Sequence, residues 1–162
     1  RIVDVNGDGI TELPRAVLMA GYKDTSSSDA VYMLDWYAYG IGKVPTKVAT
    51  TYQNISDAWS LLIDQKWHDR ITAIKVSDGG LSYVEFFEYR KNKMSIPLFN
   101  IYCATGSNRE YYAERTDLIQ LGQTTQAIYF AKLTNEGEQS ELALTGDEIK
   151  ARFSLVNQAW NN

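Results

Sequence analysis

At 162 residues the chain can hold one domain with a substantial core, or a small appendage joined to one, and nothing in its composition suggests disorder. Hydrophobic residues make up 44% and aromatics 12%, with eleven Tyr and four Trp, a bias toward sheet-rich packing rather than helical bundles. The net charge of -4 with no concentrated basic run excludes nucleic acid as a partner, and the lone Cys103 excludes an intramolecular disulfide.

The first element in chain order is the stretch Asp4-Val5-Asn6-Gly7-Asp8-Gly9-Ile10-Thr11-Glu12. Counting from Asp4, side-chain oxygens recur at the first, third, fifth and ninth positions from Asp4, Asn6, Asp8 and Glu12, and the Ile10 carbonyl supplies the seventh. A calcium ion takes about six to eight oxygens, so water or the second Glu12 oxygen would complete the shell. Gly7 and Gly9 provide the left-handed backbone that a tight wrap around an ion needs. The other reading is a polar hairpin turn, since Asn-Gly and Asp-Gly are strong turn formers, but a plain turn has no use for four ligands in register. An EF-hand is excluded. Its loop runs to a bidentate Glu at the twelfth position, which here is Arg15, and Pro14 would disturb an exiting helix.

Strand-like sequence on either side, Arg1-Ile2-Val3 and Leu13 to Ala20, gives the order strand, D-x-N-G-D-G-x-x-E, strand. Over about the first twenty residues this resembles the FG-GAP or VCBS-type repeat, the calcium-carrying unit of integrin-like propellers and of many bacterial surface proteins. The resemblance implies calcium at Asp4, Asn6, Asp8 and Glu12. The family's Phe-Gly entry and Gly-Ala-Pro exit are missing, and no second copy of the loop follows, so a complete propeller is not encoded.

Further along, Glu12 to Tyr22 reads as a strand interrupted by Pro14, Lys23 to Asp29 as a polar loop, and Ala30 to Tyr39 and Val44 to Tyr52 as two more strands. Residues 1–54 are therefore expected to form an antiparallel β meander carrying the calcium loop, and residues 55–162 a second unit. Ser56 to Trp67 has a helical stripe of Trp59, Leu62, Ile63 and Trp67, although Trp59, Leu61 and Ile63 also permit a strand. Strands are expected over Ile71 to Val76, Leu81 to Tyr89, Ile96 to Ala104, Glu110 to Arg115 and Gln126 to Leu133, with a short helical turn at Leu118 to Gly122. Thr145-Gly146-Asp147-Glu148 is a capping box with a Leu144 to Ile149 staple, and Ile149, Phe153, Val156 and Trp160 follow at helical spacing. These elements predict an α+β fold: the N-terminal meander, then an antiparallel sheet covered by one or two helices, the last spanning 146–160.

Catalytic machinery is not evident. His68 is the single histidine and sits at an expected helix end; Cys103 alternates with buried-type neighbours Phe99 and Ile101. The acid pairs Glu85 with Glu88 and Glu110 with Glu114 stand beside basic residues, as solvated strand faces do. Two functions from different classes remain. One is a noncatalytic, calcium-stabilised module of an exported or cell-surface bacterial protein, serving adhesion or ligand binding. The other is a carbohydrate-active domain using the aromatics Tyr32, Trp36, Tyr37 and Tyr39 and an acid pair. A glycan or protein ligand and the upstream part of the same polypeptide are the expected partners, with no transmembrane segment in this stretch. Any export signal is expected upstream of Arg1, because a loop of this affinity class is useful where calcium is abundant.

Overall fold

The computed structural model describes residues 3–23 and 30–156, which form two five-stranded antiparallel sheets. The first sheet contains β1 (Glu12–Leu18), β2 (Tyr32–Ala38), β3 (Thr46–Asn54) and β4 (Trp59–Leu62) in sequence order. The second contains β5 (Ile71–Asp78), β6 (Leu81–Arg90), β7 (Lys93–Thr105), β8 (Ile119–Gln123) and β9 (Ala127–Leu133), arranged β5-β6-β7-β9-β8. A short β10 (Phe153–Leu155) returns to the first sheet and pairs with β4. Helices are few and short: α1 (Glu110–Ala113), α2 (Asn135–Glu138) and α3 (Gly146–Arg152).

The architecture is thus more strongly β than expected, and its antiparallel sheets carry nearly all the order. Ser56 to Trp67 is not a helix. Trp59 and Leu61 alternate inward on β4, and helical turns are confined to a 3-10 segment at Gln65–Trp67. The cause lies in the neighbours: β3 presents an edge that this segment fills through the ladder Thr51 to Leu62 through Asn54 to Trp59, which buries Trp59 and Leu61. The C-terminal helix keeps its expected start, with the reciprocal Thr145 and Glu148 hydrogen bonds in place. It stops at Arg152 rather than near 160, because Phe153 to Leu155 adds to β4; Trp160 lies outside the described residues. Between β7 and β9 two expectations exchange places. Glu110 opens α1, where Tyr112 stacks on Phe130 at 5.0 Å, while Ile119 to Gln123 pairs with β9 as a strand.

One hydrophobic cluster joins the inner faces of both sheets. Met33, Tyr52 and Leu61 from the first meet Val84, Phe86, Phe99 and Ile101 from the second, with Tyr52 edge-on to Phe86 at 5.5 Å. The boundary expected at residue 54 falls inside the β3 to β4 hairpin, and that cluster draws on both sides of it. Pairing continuity therefore runs across the expected boundary.

Candidate metal centre

The loop from Asp4 to Glu12 stands at the start of β1. Val3 forms an isolated antiparallel bridge with Glu12, and two backbone bonds, 2.7 and 3.4 Å, close the loop's neck. Inside the neck the backbone turns on Gly7 and Gly9, both at positive φ (76° and 85°). A Cβ at either would meet nothing within 4 Å, so the requirement for glycine is one of backbone angle and not of space.

That curvature aims amide N–H groups at the Asp4 carboxylate. Gly7 and Asp8 donate to Oδ1 at 2.6 and 3.1 Å, and Gly9 donates to Oδ2 at 2.8 Å. The Gly9 bond is the main reason the Asp4 carboxyl is held below its ordinary range. Asp8 is positioned the same way, accepting from the Ile10 N–H at 2.8 Å and from the Asn6 amide at 3.0 Å. Asn6 Oδ1 in turn accepts from the Asp8 N–H at 3.1 Å. Glu12 differs from the others. It is fully buried, its Oε2 accepts from the Val5 N–H at 2.8 Å, and its Oε1 is buried without a hydrogen-bond partner among the described residues. Trp59 Nε1 is the other such atom.

Of the five expected ligands, Asp4, Asp8 and Glu12 bring carboxylate oxygens within 4.8 Å of one another. Asn6 belongs to the same ring of hydrogen bonds, and Ile10 enters it through its N–H while its side chain stays exposed. The geometry suits a hard cation, since it converges oxygen donors and leaves one buried acceptor unused.

No family model matches the chain, and no curated protein or solved structure is significantly similar to it. The site's chemistry therefore rests on its own geometry.

The other candidate groups do not converge. Glu85 and Glu88 lie three residues apart on one strand and so face opposite sides, Glu88 being buried against Arg90 and the Ser140 hydroxyl. Glu110 pairs loosely with Arg109 at 3.8 Å on the surface. His68 is exposed, 3.3 Å from the exposed Asp69 carboxylate. Cys103 is buried, and burial pushes its thiol up to about 11, which keeps it protonated and unreactive at neutral pH. Trp36 is buried with its Nε1 on the Thr51 hydroxyl, while Tyr32 and Tyr39 stay exposed. A cleft of about 670 Å³ has an apolar floor of Val17, Met33 and Ile63 flanked by Asp35 with Lys47 and Asp64 with Arg152; among the described residues no Phe, Tyr or Trp lines it.

Residue spacing singled out the three carboxylates that lie together, Asp4, Asp8 and Glu12, but the burial of Glu12 was missed. The strand pattern carried no signal for it: on the face of β1 that Glu12 shares, Pro14 and Leu18 are only half-buried and Ala16 is exposed.

Proposed function

We propose that residues 4–12 bind one calcium ion through Asp4, Asn6, Asp8, the Ile10 carbonyl and Glu12, and that the ion is structural. The chain is then a noncatalytic, calcium-stabilised module of an exported or cell-surface protein, serving adhesion or ligand binding. One observation carries the reading: the unpartnered, buried Glu12 Oε1 in a group of three carboxylates. A buried anionic oxygen without a partner is costly, and three converging carboxylates repel one another; a divalent cation relieves both. The FG-GAP or VCBS-type pattern adds support from sequence, and the loop's position, tying Val3 to β1, suits a clip. The carbohydrate reading gains little, since Glu85 and Glu88 face opposite sides of β6 and, among the described residues, no Phe, Tyr or Trp lines the cleft for sugar rings to stack on.

Calorimetric titration of chelator-stripped protein tests the reading. Calcium should bind with an affinity of about 0.1 to 1 mM, the range of extracellular modules. At 100 times the dissociation constant it would add about 2.7 kcal/mol of stability, if the unfolded chain does not bind. Asp8→Ala should remove the heat and the stabilisation. The absence of both heat and a melting shift at millimolar calcium would rule the site out.

A further inference from the structure

The end of the first sheet that carries the calcium loop also carries the turn between β2 and β3. Glu12 pairs with Ala38, so the loop before β1 and residues 39–45 after β2 stand side by side. The Lys43 N–H closes the turn on the Gly40 carbonyl at 3.1 Å, and Gly42 takes its third position at φ 69°, the mark of a type II turn with Ile41 at the leading corner. Val44 precedes Pro45, which holds it extended. Such corners favour Pro and polar residues, but Ile41 is fully exposed and Val44 is 85% exposed, with Tyr39 half exposed beside them and Ile10 half exposed on the loop. Neither hydrophobic cluster of the described residues includes any of the four.

The chain's other connections are directed elsewhere. Val3 and Glu12 are antiparallel, so the backbone reaching Val3 comes along β1 from the Leu18 side. β1 crosses to β2 at that far end, and Val156, leaving β10, bonds to Ala58 there as well. Two features select the partner. A convex turn offering three apolar side chains falls far short of the roughly 800 Å² per partner of a stable protein complex, whereas a lipid interface asks for no complementary shape. The composition is also that of an interfacial anchor: aliphatic groups at the apex, a Tyr behind them, and a Lys whose ammonium reaches headgroup phosphates. Asp4 and Asp8, exposed on the neighbouring loop, repel an anionic surface unless a cation lies between. Calcium takes about six to eight oxygens, more than the loop supplies, and the exposure of Asp4 and Asp8 puts the remaining positions on the solvent side.

We propose that this end of the sheet docks on an anionic phospholipid surface when calcium fills the loop. Ile41 and Val44 enter the acyl boundary, Tyr39 and Lys43 lie among the headgroups, and lipid phosphate oxygens take the positions of the ion that the loop leaves open. The proposal rests on the calcium reading of residues 4–12, because the ion removes most of the opposing charge. The apolar turn supplies the insertion, so each part is separately testable.

Co-sedimentation with vesicles of phosphatidylcholine and phosphatidylserine tests it. The protein should pellet with the vesicles in millimolar calcium and be released by a chelator. Ile41→Ser and Val44→Ser, at solvent-exposed sites, should leave the melting temperature and the heat of calcium binding unchanged, and each should weaken vesicle binding about tenfold. As a direct readout, Ile41→Cys labelled with an environment-sensitive fluorophore should shift its emission to the blue on vesicles in calcium. Tyr111→Cys, labelled in the same way on α1, should not shift, and the native Cys103 is buried and escapes the label. Calorimetry without lipid separates the docking from the metal site. Calcium heat without vesicle binding would overturn the docking and leave the metal site, whereas no calcium heat would overturn both. Full-strength vesicle binding by both serine variants, or an unshifted label at residue 41, would also overturn the docking.

Discussion

Glu12 is the residue on which the metal reading turns, because it is fully buried while Asp4 and Asp8 are exposed. A carboxylate so placed costs stability without a cation and repays it with one. Glu12→Gln removes the charge and keeps an acceptor for the Val5 N–H. In calcium-free buffer the variant should therefore melt at or above the wild-type temperature. In excess calcium it should fall below, since the wild type alone gains the linkage term. At about 2 to 4 °C per kcal/mol for a chain of this size, that gain is about 5 to 10 °C, readable by scanning calorimetry. Equal melting temperatures for the two proteins in calcium would remove Glu12 from the ligand set.

Among the elements, the α3 to β10 segment shows local sequence and tertiary pairing each deciding a part. Thr145 and Glu148 start the helix through short-range bonds that need only neighbours in sequence, so this start was legible. Its end was not. Nothing within Phe153 to Val156 forbids a helix; the strand forms because β4 has an edge to fill. Phe153 then stacks on Trp59 at 5.9 Å and lies 5.7 Å from Tyr129, tying the first sheet to the second. Phe153→Ala should cost about 3 to 5 kcal/mol in urea unfolding, the usual penalty for emptying an aromatic core site. A loss below about 1 kcal/mol would place the ring outside the core.

At the scale of the whole molecule, the shared cluster makes the two sheets mutually dependent. Ile149, Phe153 and Trp59 bury side by side with Tyr129 and Phe99, so neither inner face is covered without the other. Thermal unfolding should be a single transition with calorimetric and van't Hoff enthalpies in agreement. Two resolved transitions would mean that the meander and the second sheet are separate units after all. The sequence by itself determined what depends on near neighbours: the oxygen spacing of the loop, its two glycines, the period-two strands and the capping box. Tertiary structure alone decided what depends on distant partners. Ser56 to Trp67 was ambiguous between helix and strand because its apolar residues suit both periods, and Leu118 to Gly122 read as a helical turn; in both places an adjacent edge makes the strand. The burial of Glu12 was hidden for the same reason: exposure is a property of what covers a residue, and spacing along one chain does not encode it.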